Sequence, residues 1–361
     1  MNMQKIIPRL AQLDTTISMF ADGYVDEVWE LVNSRISLSD YIAISQKKQL
    51  AERIMLSDTG GMAIEMIKKR RTIGGFTANI GYAAARLGLH TILVGLYGKE
   101  ALDPLYEPLG RISQLISLGN PAITHALEFD DGKILLTHME SVSKLSWDDI
   151  VEAVGKEEII SILTISDIIG VGYWASMHFF DDNLAKICGL IPQDSKRRRF
   201  FFDFADVRKR EETSLIATLQ NFSKINKKLP ITLSLNEHEG AVIFELYGET
   251  LDDKGGTIPQ KMESVRRQMG IEELVVHTPY YAAASSYTEG AGFSHQKYCE
   301  KPIRTAGAGD TFNGGYLAAM SAGLNPLERL QFANATVSYF LNNGHPPSLE
   351  QLAKEKKEVV R

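Results

Sequence analysis

The sequence predicts an α/β fold: a mostly parallel central sheet with helices on both faces, and a small separate β-sheet over one edge. Three observations carry that prediction. Five short, almost wholly apolar runs recur along the chain beside helix-like or turn-forming residues, and strands buried on both faces read this way. Two stretches in the N-terminal half instead alternate apolar with polar residues, the pattern of a sheet with one wet face. No repeat or low-complexity tract interrupts the 361 residues, a length that suits one large α/β domain with an appendage.

In chain order, Ile36 to Leu56 reads as helical, with Leu50, Ile54 and Met55 spaced for one face. Met62 to Ile73 alternates as a strand of the small sheet. Asn79 to Leu87 reads as a helix stopped at Gly88, with Asn79 a candidate N-cap, and Thr91–Gly95 as the strand after it. Ile123 to Met139 reads as a hairpin turning at Asp130-Asp131-Gly132, since Asp-Gly between alternating runs favours a tight turn. Asp167–Gly172, Phe200–Phe204, Ile231–Leu235 and Glu273–His277 are the remaining buried strands. Polar or small residues follow each, so chemistry is expected at the carboxyl edge of the sheet. The basic run Lys196–Arg199 reads as a solvated loop, and the tail Lys354–Arg361 as an exposed last turn.

Composition excludes several classes. A net charge of −6 argues against a nucleic-acid binder, which needs a basic face for phosphates. Only Cys188 and Cys299 are present, and no His/Cys cluster has zinc spacing, so neither a disulfide framework nor a structural metal is expected. The N-terminus lacks the apolar stretch of a signal peptide, and no run has the roughly 18 apolar residues of a membrane span. A soluble, cytoplasmic protein without nucleic-acid or membrane partners is the expectation. No Gly-x-Gly-x-x-Gly opens the first strand–helix turn, which argues against a Rossmann dehydrogenase.

The most informative stretch runs from Arg304 to Met320: RTAGAGDTFNGGYLAAM. Small residues precede an Asp and an apolar helical run that stops near Gly323 and Pro326. The free amides of a helix N-terminus attract anions, and Gly307, Ala308 and Gly309 leave room for a phosphate to approach them. A carboxylate at Asp310 can accept a proton from a hydroxyl while those amides hold developing charge. An N-capping Asp after a glycine turn is the alternative for this position.

Residues 304–317 closely resemble the C-terminal signature of the ribokinase-like (PfkB) carbohydrate kinase family. Gly74-Gly75-Phe76-Thr77-Ala78-Asn79 and the residues through Gly88 resemble its N-terminal signature. The similarity in layout spans nearly the whole chain. It implies a single ribokinase-like domain over 1–361, with a β-lid formed by segments around 27–35, 62–73 and 121–140. It implies that Gly74, Gly75 and Asn79 bind the sugar, with Asp26 the matching carboxylate at the end of the first strand and Asp22 a weaker competitor. Asp310 becomes the general base and 307–309 the anion hole. Asn236 and Glu239 match an Asn-x-x-Glu motif that organises magnesium and nucleotide phosphates. Asp203, Arg208 and Thr278 lie where relatives approach the phosphate path or the nucleotide.

The implied function is a sugar kinase that transfers the γ-phosphoryl of ATP, with Mg²⁺, to a hydroxyl of a sugar or sugar acid. The partners are then a sugar and a nucleotide, with a homodimer through the lid in keeping with the family. Three alternatives stay open: a nucleoside kinase acting on an adenosine-like acceptor, an ADP-dependent sugar kinase, and a non-catalytic sugar or nucleotide sensor. His277-Thr278-Pro279-Tyr280-Tyr281 lacks the glycine that relatives have after the fifth strand, which keeps ADP open as donor. Arg304 stands where relatives often have an Asp that helps bind potassium, so no potassium requirement is expected.

Overall fold

Phe200, Phe201 and Phe202 show why the central strands are apolar throughout. Successive strand side chains point to opposite faces. Phe200 and Phe202 therefore pack with Phe180 and Phe222 on one face, and Phe201 with Met19 and Phe76 on the other. The Phe202 and Phe222 rings stack at 4.1 Å, and the Phe201 and Phe76 rings at 6.2 Å. Helices cover both faces, so all three phenylalanines are buried.

The structure is a computed structural model that describes residues 3–57, 60–252 and 256–358. Its strands are β1 (Thr16–Phe20), β2 (Tyr24–Arg35), β3 (Tyr41–Ala43), β4 (Met66–Gly74), β5 (His90–Gly95), β6 (Gln114–Ser117) and β7 (Ala122–Phe129). They continue as β8 (Gly132–His138), β9 (Ile168–Gly172), β10 (Arg199–Asp203), β11 (Ile231–Asn236), β12 (Glu273–His277), β13 (Tyr281–Ser286) and β14 (Gly290–His295). The large sheet has nine strands in the order β14-β13-β12-β11-β10-β9-β1-β5-β6. It is parallel from β6 to β12, with β13 and β14 antiparallel at one edge.

The small sheet has five strands, in the order β3-β2-β7-β8 with β4 on β2. In its register Asp26 lies beside Thr72 on β4 and Thr124 on β7. Residues two apart share a face, so Asp26 and Val28, Arg70 and Thr72, Thr124 and Ala126, and Lys133 and Leu135 line one cavity. The opposite face carries Trp29 and His125, whose rings share a 3.1 Å hydrogen bond from Nε1 to Nδ1.

Three sequence expectations change. Only Lys47–Met55 of the segment 36–56 is helical. Residues 36–40 form a turn held by Ser37 and Asp40, and Tyr41–Ala43 joins the small sheet beside Val32–Arg35. Leu50 is buried in the cluster with Leu31 and Leu127, whereas Ile54 and Met55 are exposed. The helix read from Asn79 starts at Phe76, with Gly75 as its cap. Lys196–Arg199 is not a solvated loop: Arg198 is buried, pairs with Asp194 and donates to the Leu163 and Thr164 carbonyls. Arg199 opens β10 and reaches the buried Glu273. The last three residues of the tail lie outside the described residues.

Candidate active site

Two aspartates follow β1, and the structure gives them different work. Asp22 is fully buried and accepts hydrogen bonds from the Phe76 and Thr77 amides, each at 2.8 Å. It thereby satisfies two orphan donors at the start of the Phe76–Arg86 helix. Gly75 permits this, with φ of +91° and an added Cβ that would fall 2.7 Å from Asp22 Oδ2. Asp26 instead projects from the small sheet into the cavity, against Gly74, where an added Cβ would lie 3.0 Å from its carboxylate.

The Ala308–Ser321 helix begins at Gly307, whose φ is +86°. Asp310 therefore sits inside the first turn and is not the N-cap. Among the described residues the Gly307, Gly309 and Asp310 N–H groups have no hydrogen-bond partner, whereas Ala308 N–H donates to the Thr305 carbonyl at 3.1 Å. Two amides of the expected trio are thus free, joined by that of Asp310 itself. Asn79 donates from Nδ2 to Asp310 Oδ2 at 3.0 Å, so one carboxylate oxygen is oriented and the other left available. Gly314 lets this helix lie on the Phe76–Arg86 helix, because an added Cβ would come 2.5 Å from Ala83 Cβ. Helix contact and Asn79 bond fix the same geometry.

On the other side, Asn236 and Glu239 form a reciprocal cap on the Glu237–Leu246 helix. Asn236 Oδ1 accepts from the His238 and Glu239 amides, and Glu239 Oε2 accepts from the Asn236 amide at 3.0 Å. This capping box explains the spacing of the motif in local terms and sets Glu239 in a buried position at the carboxyl edge of β11. Asp203, at the end of β10, accepts from Asn313 Nδ2 at 2.9 Å and from the Ala205 amide at 3.1 Å. Thr278 closes the turn between β12 and β13, its Oγ1 accepting from the Tyr280 and Tyr281 amides.

These residues surround two cavities. One, of about 450 Å³, is lined by Asp26, Gly74, Gly75, Asn79, Lys133 and Arg304. The other, of about 530 Å³, is lined by Asp203, Asn236, Glu239, Thr278, Ala308 and Gly309. Asp310, Gly307 and Tyr173 line both. Asp310 thus stands where the cavities meet.

The electrostatics at that junction are strongly acidic. Burial, and then the Asp203 carboxylate, hold the Asp310 carboxyl well above its ordinary range, while Asn79 and Arg304 act in the opposite sense. Asp203 is pushed up to about 6, mainly by burial. Glu239 is raised by burial and by Asp203. None of the three has a Lys, Arg or His partner within ion-pair distance among the described residues. Buried carboxylates that form no ion pair leave room for a cation. No ready-made group of three His, Cys, Asp or Glu could hold a metal among the described residues, so a magnesium ion fits here as one shared with nucleotide phosphates and water.

Some placements were not legible. Arg208 is exposed and forks onto Asp206 at 2.7 and 3.0 Å; its neighbour Lys209 instead lines the cavity that also holds Asp26. Tyr173, with φ of +57°, carries no sequence signal. His277 lies beneath Gly309, its ring 4.8 Å from that of Phe312, and burial pushes its pKa down to about 4. Asn313, which links Asp203 to Ser234, had a signal: a buried polar residue one helical turn after Asp310. No described helix is long and apolar enough to cross a membrane.

Known proteins share this architecture. A ribokinase from Arabidopsis thaliana, solved with ribose and ATP, superposes with a TM-score of 0.63 at 15% identity, covering 94% of this chain and 97% of its own. A putative ribokinase II from E. coli, solved with ATP and Mg²⁺, superposes with a TM-score of 0.63 at 14% identity, covering 96% and 100%. A ketohexokinase from Haloferax volcanii is 26% identical over 340 residues, 92% of this chain and 88% of that protein. The family model for prokaryotic ketohexokinase matches residues 2–358, and this chain, a carbohydrate kinase of the ribokinase-like (PfkB) fold, belongs to that family.

Proposed function

We propose that the enzyme transfers the γ-phosphoryl group of ATP to a hydroxyl of a ketohexose, with Asp310 as general base. The observation that carries this reading is the meeting of the two cavities at Asp310 and Gly307. A sugar on the lid side and a nucleotide on the other bring hydroxyl and phosphorus together only there. The relative from Haloferax supplies the substrate class.

In this mechanism Asp26 accepts hydrogen bonds from sugar hydroxyls, and Asn79 and the amides of Gly74 and Gly75 hold others. The reacting hydroxyl gives its proton to the free oxygen of Asp310. A bond forms from the hydroxyl oxygen to the γ-phosphorus, and the bond to the β–γ bridging oxygen breaks, leaving ADP. The Gly307, Gly309 and Asp310 amides face the oxygens that gather charge. Asn236 and Glu239 would hold the magnesium–nucleotide complex, with Asp203 beside them. The ion supplies charge neutralisation on the phosphates when bound. The small sheet excludes water, so that the sugar rather than water attacks.

Arg304 supports turnover without a potassium requirement, because a permanent cation already faces Asp26 and Asp310. The exposed Ile123 and Leu136, on the face of the small sheet opposite the cavity, support a homodimer through that face; a one-chain mass by light scattering at working concentration would remove that element.

The test is a turnover matrix. Fructose, ribose, 2-keto-3-deoxygluconate and adenosine are each assayed with ATP-Mg and ADP-Mg, in potassium and in sodium. The expected result is the highest kcat/KM for fructose with ATP, nearly equal in both salts. Turnover only with ADP, or only on adenosine, overturns the donor or the acceptor. No product in any combination would favour a sensor.

A further inference from the structure

We propose that Arg304 is a positioning residue: a shared counter-charge that ties the lid to the catalytic loop and holds Asp26 and Asp310 as a working carboxylate pair. The inference rests on the reading of Asp26 as sugar ligand and Asp310 as base, and goes beyond it by assigning what sets both.

Arg304 belongs to the loop that leads into the Ala308–Ser321 helix, yet its hydrogen bond is made to the lid. Its Nη2 donates to the Ile73 carbonyl on β4 at 3.0 Å. Ile73 pairs with Val25, the residue before Asp26, so this bond anchors the strand rung beside the sugar carboxylate. The Phe340 ring, 5.4 Å from the guanidinium carbon, steadies the other side. From Ile73 the chain passes through Gly74 and Gly75 directly into the helix that carries Asn79, and Asn79 grips Asp310. Arg304 therefore closes a circuit from lid strand to base, six residues from the base itself.

Its remaining donors are unspent. Nε is buried without a partner, an arrangement that costs stability unless a bound oxygen uses it. Among the described residues the other cations of this cavity are placed differently. Arg70 is paired with Glu128, and Lys133 and Lys209 have exposed side chains. Lys133 faces Asp26 only, whereas Arg304 faces both carboxylates. The groups that oppose it at Asp310 are Asp203 and Asp22, with the neutral Tyr173 alongside. Against that acidic background Arg304 adds a fixed positive charge to the Asn79 hydrogen bond in favouring the charged form of Asp310. Lysine, with a point charge and no fork, would neutralise without fixing geometry.

The test compares Arg304→Gln and Arg304→Lys with the wild type, with Asp310→Asn as control. Sugar KM, nucleotide KM and kcat are measured across pH, with melting temperature recorded for each protein. Arg304→Gln should raise sugar KM about tenfold or more, leave nucleotide KM within about twofold, and move the acid limb of kcat/KM to higher pH. The sign follows from charge: removing a cation makes Asp310 harder to ionise. Arg304→Lys should return the acid limb toward the wild-type position while sugar KM stays raised. A structural role alone would lower the melting temperature or kcat uniformly, without moving the limb. A folded Arg304→Gln with wild-type sugar KM and acid limb overturns the proposal, and so does an Arg304→Lys variant with wild-type sugar KM if the Gln variant does not fold. An inactive wild type, or an active Asp310→Asn, would instead overturn the parent reading.

Discussion

Replacing Asp203 by Asn should stabilise the ligand-free enzyme while damaging catalysis. Asp203 is buried, and its carboxyl is pushed from 3.8 up to about 6. Between those values the folded protein holds a proton that the unfolded chain has released. Stability contributed by this group is therefore present at low pH and lost as pH rises through the window. Above pH 6 the cost is about 3 kcal/mol, from roughly two powers of ten in proton affinity. The Asn variant removes that cost and can keep the local hydrogen bonds. Its Oδ1 still accepts from the Ala205 amide, and Asn313 can turn its amide over, since Ser234 Oγ serves as donor or acceptor. Calorimetric melting of both proteins from pH 4.5 to 8, without nucleotide or magnesium, measures the difference. The variant should gain several degrees at pH 8 and little at pH 4.5. Equal melting temperatures at pH 8, or a difference independent of pH, would refute the reasoning. Magnesium with nucleotide should narrow the gap, because the bound cation neutralises the wild-type carboxylate and not the amide.

Two further outcomes test the frame around the site. Glu273→Leu should cost about 3–5 kcal/mol in denaturant unfolding, because the buried carboxylate accepts from Arg329, Tyr316, Thr232 and Arg199, and each loses that bond while Arg329 keeps Glu289 and Arg199 keeps Thr232. Gly75→Ala should lower the melting temperature and raise sugar KM together, since at φ of +91° its Cβ meets Asp22 Oδ2 and displaces the cap of the Asn79 helix; a cost of about 1–3 kcal/mol is expected.

Much of this architecture was readable because local pattern and tertiary demand agree. The apolar runs of β5 and β9 to β12 follow from burial on both faces, and the Asp-Gly turn from hairpin stereochemistry. What was not readable depends on partners distant in sequence. The Asn79 helix starts three residues early because Asp22, more than fifty residues away, caps it. Tyr41–Ala43 leaves the expected helix because an open strand edge on β2 takes it. Arg198 is buried because Asp194 and two helix-end carbonyls accept its donors, although the run around it looks like a solvated loop. The site divides the same way. The Asn236–Glu239 spacing is local helix capping and shows in the sequence, whereas the placement of Tyr173 in both cavities and the lid contact of Arg304 arise only where lid and sheet meet.

The central claim is that Asp310 takes the proton, and Asp310→Asn tests it most directly. Gly307, not Asp310, starts the helix, so no cap is lost. The new amide oxygen can still accept from Asn79, and removing a buried carboxyl held above its ordinary range should not destabilise the fold. Turnover of the folded variant is measured beside calorimetric binding of sugar and nucleotide. The account predicts a fall in kcat of about two to four orders of magnitude, with sugar affinity nearly unchanged and nucleotide binding equal or tighter. Near-normal turnover in a protein that still binds both ligands would contradict it.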